Sequence, residues 1–183
     1  MQLKNTKTAE LKDKYWVFGY GSLIWKQDFP YQDIQPAYIK GWSRRLWQGS
    51  HDHRGTPDNP GRVATIIRTP AASCAGVAVS INKRVFDHLD YREKNGYERH
   101  QVEIFLADRM VTGTTYVGSP DNHAFFGEAS DEAIIAQVMR SAGESGENLD
   151  YLLALAESLC ELKIKDEHIG RLASKVRRLM RSS

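Results

Sequence analysis

Three short segments of this chain carry residue types that could do chemistry. The first is Phe18-Gly19-Tyr20-Gly21-Ser22-Leu23, in which two glycines and a serine follow a β-prone run. Small residues at a strand exit leave consecutive backbone N–H groups uncovered, and such a concavity holds an anion such as a substrate carboxylate. The same spelling also serves any tight turn whose dihedrals need glycine. The second segment, Leu89-Asp90-Tyr91-Arg92-Glu93-Lys94-Asn95-Gly96-Tyr97, puts acids at a helix end that a glycine turns back. A carboxylate there does proton transfer if burial raises its pKa toward neutrality. From its residue types alone, though, it reads first as a charged, solvated helix end with Glu93 paired to Arg92 or Lys94. The third segment, Gly41 to Ser50 with His51-Asp52-His53-Arg54 behind it, interleaves cations and aromatics. That suits a single-stranded nucleic-acid surface built on Trp42, Arg44, Arg45, Trp47 and Arg54. It equally suits a strand with one core face and one face of carboxylate-binding arginines. His51 and His53 about Asp52 are too thin a ligand set for a metal.

The elements that must position these residues are legible as periodicities. Tyr15–Tyr20 reads as a buried strand entering a turn. Residues 36–49 form a second β-prone run, and after a loop rich in Gly, Pro, Asp and Asn come Arg62–Arg68 and Cys74–Ser80. Asn82 is a good N-cap for a helix placing Val85, Phe86 and Leu89 on one face and ending by Gly96. Arg99–Leu106 and Val111–Val117 alternate as strands. Beyond them, Ser130, Asn148 and Asp166 each stand where a helix cap is needed, before apolar stripes such as Ile134-Ile135-Val138 and Ile169-Leu172-Val176. About six strands followed by helices, with no strand–helix alternation, predict a single α+β domain over residues 15–183. Residues 1–14 read as a flexible polar tail.

Composition narrows the function classes. A formal charge of +2 in 183 residues gives no bulk attraction to nucleic acid or membrane. No run of eighteen apolar residues predicts a membrane span. The stretch MQLKNTKTAELKDK lacks a signal peptide's apolar core. Cys74 and Cys160, far apart, form no disulfide framework, so the expected setting is a reducing, cytoplasmic one.

The segments VFGYGSLIWKQDFPY, SRRLWQGSHDHRGTPDNPGRVATI, LDYREKNGYE, TYVGSPDN and SAGESGENLDYLLALAESL, in that order, are similar to the ChaC family of γ-glutamylcyclotransferases. The resemblance runs from about Tyr15 into the C-terminal helix. It implies a small mixed β-barrel flanked by helices. It also implies a glutathione substrate and a reaction needing no cofactor, metal or nucleic acid. On this chain it places substrate binding on Phe18, Gly19, Tyr20, Gly21, Ser22, Leu23 and Tyr116, and catalysis on Glu93. Where the family commonly has an aromatic residue before Leu-Gly-Pro, this chain reads Phe125-Phe126-Gly127-Glu128, a departure expected to alter the pocket wall or the start of the next helix.

The implied chemistry is intramolecular. The α-amine of a γ-glutamyl amide attacks its own γ-carbonyl, closes 5-oxoproline and expels the amine that was acylated. An ordinary carboxylate is several units too acidic to take a proton from that ammonium, so Glu93 is expected to be desolvated to about 6–7. Arg44, Arg45, Arg54 and Arg62 are all candidates for the glycine carboxylate of glutathione. A cyclotransferase for other γ-glutamyl amino acids or amines is the nearest alternative. Cys74 reads as a small core residue.

Overall fold

The computed structural model describes residues 14–182; the N-terminal stretch expected to be a flexible tail lies outside the described residues, apart from Lys14. Five strands, β1 (Tyr15–Gly19), β2 (Asp33–Ser50), β3 (Gly61–Ile81), β4 (Tyr97–Phe105) and β5 (Met110–Gly118), close into a barrel in the order β1-β3-β2-β4-β5. All ladders are antiparallel except the closing one, where β1 meets β5 in parallel at Val17 and Thr114. The barrel is therefore mixed. Helix α1 (Val85–Arg92) joins β3 to β4, and α2 (Asp131–Arg140), α3 (Asn148–Glu161) and α4 (Glu167–Ser182) follow the barrel, with a two-residue hairpin (Ala142–Gly143 and Gly146–Glu147) before α3.

The continuous apolar run of β1 is explained by burial on both faces. Trp16 and Phe18 join the main core, which runs through Leu46, Ile66 and Ile104 to Ile134, Leu152, Leu155, Ile169 and Leu172 of the three C-terminal helices. Val17 points the other way, into a second core with Val79, Ile81 and the Val85, Phe86 and Leu89 face of α1. Burying each of those three side chains contributes roughly 1.5–3 kcal/mol, which is what holds α1 to the barrel.

The two strands expected at 62–68 and 74–80 are one. Thr69 to Ala72 have no ladder partner, and opposite them Gly41 adopts φ +81°. The Pro70-containing stretch is thus a bulge within a long strand. A second bulge lies where Arg45 pairs with Thr65 and Gln48 with Val63, so Leu46 and Trp47 face only Ala64. Ala64 is left without a ladder partner there.

Two caps also differ from expectation. Asn148 does not cap α3: Glu147 holds that position, and the fully buried Asn148 amide instead bridges the backbone of Arg62, with 2.7 Å bonds to its N–H and its carbonyl. Asn82 lies two residues before the cap of α1, accepting from Arg84 N–H at 3.1 Å. Ser130 and Asp166 do cap, each accepting a backbone N–H three residues on.

Candidate active site

Helix α1 ends at Arg92, and Glu93 is its C-cap. Gly96, at φ +87°, then reverses the chain into β4. This turn is fastened to the end of β2 by amides. Buried Gln48 donates to Asn95 carbonyl at 2.9 Å and to Asn122 Oδ1 at 3.0 Å, while Asn122 donates back to Gln48 at 2.9 Å. Asn95 in turn donates to Gly49 carbonyl at 3.0 Å. Each of these bonds replaces water at a site where an unpaired amide costs about 1–3 kcal/mol, so the backbone carrying Glu93 has one well-defined path.

The Gly-rich segment leaves β1 and forms a single 3₁₀ turn, Ser22–Ile24. Among the described residues, the backbone N–H groups of Gly21, Ser22 and Leu23 donate to no protein acceptor. The turn is close-packed at Gly21: a Cβ there would stand 3.0 Å from the Tyr151 hydroxyl. Arg92 ties this turn to α1. Its guanidinium donates to Ser22 Oγ at 2.5 Å, Asp28 Oδ1 at 2.8 Å and Lys26 carbonyl at 3.1 Å.

The Glu93 side chain is 18% exposed, and its one charged contact among the described residues is Arg92 Nε at 3.5 Å. Burial pushes its carboxyl up to about 7; Arg92 pulls it down, and Asp52 and Asp28 push it further up. Desolvation dominates because the carboxylate has no hydrogen-bond donor aligned on it while the nearest cation is shared with Asp28.

Two adjoining hollows meet at this carboxylate. Phe18 through Leu23 form one wall of the inner hollow, and Ala64, Glu93, Tyr97, Tyr116 and Tyr151 form the rest. The outer one shares Ser22, Glu93, Tyr97 and Tyr151 and continues past Trp25, Asp52 and Arg54. The bulge at Ala64 organises the inner wall. Its freed N–H is accepted by Tyr151 Oη at 3.1 Å, and its freed carbonyl accepts from Tyr97 Oη at 2.6 Å. Tyr20 donates to Tyr116 carbonyl at 2.6 Å. Burial raises all three phenols, Tyr151 to about 12, so they stay neutral beside Glu93.

A family model described as ChaC-like protein matches residues 15–179. The chain belongs to this ChaC-like family. Gamma-glutamylcyclotransferase 2-3 of Arabidopsis thaliana is 41% identical over 181 residues, covering 92% of this chain and 91% of that protein. Glutathione-specific gamma-glutamylcyclotransferase 1 of Rattus norvegicus is 37% identical over 176 residues, covering 90% of this chain and 79% of that one. The crystal structure of a selenomethionine-labelled gamma-glutamyl cyclotransferase specific to glutathione from yeast superposes with a TM-score of 0.84 at 30% identity, covering 91% of this chain and 97% of the yeast one.

All the positions that the ChaC resemblance marks for substrate and catalysis line the inner hollow: Phe18 to Leu23, Glu93 and Tyr116. The Tyr116 hydroxyl is committed to Asp90 at 2.7 Å, and its carbonyl to the Tyr20 hydroxyl. Residue types alone pointed instead to a solvated Glu93; the structure buries it. Of the four candidate arginines, Arg44 is 2% exposed and bound to Asp166 at 2.7 Å and Tyr20 carbonyl at 2.7 Å. Arg62 is 6% exposed and bound to Gln137 at 2.7 Å and Gly127 carbonyl at 3.1 Å. Arg45 lines a different hollow, with His168 and Arg171. Only Arg54 of the four lines the hollows at Glu93.

With Trp42 4% exposed and Arg44 2%, the aromatic and basic run from 41 to 54 does not form one outward face. His53 lies against Ser145 and Glu144, and no group of three or more potential metal ligands occurs among the described residues. The Phe125-Phe126-Gly127 departure lies outside both hollows: Phe126 and Gly127 donate to Trp47 carbonyl, and Gly127 takes φ +71°. It shapes the approach to α2. Tyr97, Tyr151 and the clamp made by Arg92 carry no local signature that would have marked them as site residues. No helix among the described residues is long and apolar enough to cross a membrane.

Proposed function

We propose that this chain is a γ-glutamylcyclotransferase that cleaves glutathione to 5-oxoproline and Cys-Gly, with Glu93 as the base. The observation that carries the reading is a buried carboxyl, raised to about 7, facing a turn with three uncommitted N–H groups in one small hollow. Family membership and the printed names of its relatives support the substrate.

The substrate's α-carboxylate sits on the N–H groups of Gly21 and Ser22, which sets its ammonium toward Glu93. A free α-amino group titrates near 7.7–8.0, so a base at about 7 is mismatched by about one unit rather than by more than three. Proton transfer matched in this way gives roughly 10²–10⁴-fold. The enclosing tyrosine rings fold the glutamyl chain so that the freed amine meets its own γ-carbonyl, an arrangement for which effective molarities reach about 10⁵–10⁸ M. The Tyr151 hydroxyl accepts from Ala64 N–H and so keeps its own proton for the carbonyl oxygen on which charge develops. As the C–N bond breaks, Glu93 returns its proton to the departing Cys-Gly amine, and 5-oxoproline leaves. The amine nucleophile comes from the substrate, and Cys74, 3% exposed with its thiol pushed up to about 11, has no part in it.

The test is the product of two substrates. Glutathione should yield 5-oxoproline and Cys-Gly in equal amounts, and N-acetyl glutathione, whose amine is blocked, should yield nothing. Free glutamate from glutathione, or cleavage of the acetylated compound, would make the protein a hydrolase and overturn the reading. A panel of γ-glutamyl amino acids and amines separates glutathione from the alternative substrates.

A further inference from the structure

Arg54 is half-buried in the outer hollow. One guanidinium nitrogen donates to Glu147 carbonyl at 3.0 Å, and its Cζ lies 5.8 Å from the centre of the Tyr151 ring. No carboxylate within ion-pair distance claims it among the described residues, although Asp150 acts on it through space. Arg92, the other arginine of the hollow, is spent on Ser22, Asp28 and Lys26. Arg54 is therefore a partly desolvated cation with N–H groups to spare.

Its position relative to the reacting end is set by Tyr151. The hydroxyl of that residue is beside Gly21 and Ala64, in the inner hollow, and its ring carries Arg54 on the outer side. A γ-glutamyl group bound at Gly21 and Glu93 therefore sends whatever is attached to its γ-carbonyl along Tyr151 toward Arg54. In glutathione that is two residues, roughly 7 Å of extended chain, ending in a carboxylate. Arginine's planar fork pairs with a carboxylate through two parallel hydrogen bonds, which the exposed ammonium of Lys26 at the same rim cannot do.

We infer that Arg54 is the anchor for the C-terminal carboxylate of the substrate, and that it selects γ-glutamyl peptides ending in a free carboxylate over γ-glutamyl amines. This rests on the cyclotransferase reading above. The bond forms in the ground state and persists in the transition state, so it sets KM more than kcat.

The experiment compares glutathione with its glycine monoethyl ester in the wild type and in Arg54→Gln, reading 5-oxoproline. Esterification should lower wild-type kcat/KM by roughly 10- to 100-fold, the range for a hydrogen-bonded charged group. Arg54→Gln should lower kcat/KM for glutathione by a similar factor, mostly through KM. The two losses should not multiply, because each removes the same contact. Arg54→Lys should recover part of the loss for glutathione and none for the ester. Equal losses on both substrates would make Arg54 structural and overturn the inference. So would full activity of Arg54→Gln on glutathione, or the same non-multiplying pattern in Lys26→Gln instead. Failure of the wild type to make 5-oxoproline from either compound would overturn the cyclotransferase reading, and the anchor with it.

Discussion

Arg92 and Ser22, 70 positions apart in the chain, are joined by a 2.5 Å hydrogen bond from guanidinium to hydroxyl. The same guanidinium stands 3.5 Å from Glu93. One side chain thus sets the distance between the turn proposed to hold substrate and the carboxyl proposed to take its proton. It also sets the charge that the carboxyl feels.

That double role gives a pair of opposite pH effects. The rate should fall below the pKa of Glu93, near pH 7, as the base becomes protonated. Arg92 stabilises the ionised form and Asp52 destabilises it. Arg92→Met should therefore move the acid limb of the kcat/KM profile to higher pH, and Asp52→Asn should move it to lower pH. A pH–rate profile of each variant checks this; limbs that stay in place would remove Glu93 as the titrating group.

Burying Glu93 should also be visible in stability. Its folded pKa of about 7 lies above the ordinary value of 4.5. Between those values the folded protein holds a proton that the unfolded chain has lost. Stability present below about pH 4.5 is accordingly lost as pH rises to about 7. Glu93→Gln does not titrate, so its stability relative to wild type should increase across that window, by up to about 3 kcal/mol. Denaturant melts at pH 4.5, 6 and 8 measure the difference; a constant offset would mean that Glu93 is solvated.

The turn behind Glu93 offers a backbone test. At Gly96 a Cβ would face φ +87°, overlap Asn122 Oδ1 and stand 2.8 Å from Gln48 Nε2. Gly96→Ala should cost more than about 1 kcal/mol in stability and lower kcat, because the amide lattice under Glu93 must open. Thermal unfolding together with steady-state rates would show both effects, and a variant with unchanged Tm and kcat would contradict the role given to that lattice.

The strands, the caps at Ser130 and Asp166 and the stop of α1 before Gly96 were legible because each is a local matter of periodicity, capping or dihedral. The continuity of β3 through Pro70 was not, since only the β2 partner reveals a bulge. Glu93 shows the same limit at the site. Its neighbours Arg92 and Lys94 describe a wet helix end, whereas its hollow is closed by Tyr20, Tyr97 and Tyr151, which come from the turn after β1, from β4 and from α3. Only the likeness of whole segments to the ChaC family pointed to it beforehand. Likewise the choice of Arg54 among four arginines needed the contacts that occupy Arg44 and Arg62.

The central claim is that Glu93 moves the proton during cyclisation, and Glu93→Gln tests it most directly. The change is nearly isosteric and removes a buried charge, so the variant should fold and bind glutathione. Single-turnover release of 5-oxoproline at pH 8 should then fall by about two to four orders of magnitude. A folded, glutathione-binding Glu93→Gln protein that still releases 5-oxoproline at near the wild-type rate would contradict the account and pass the role to Asp52, another carboxylate lining the outer hollow.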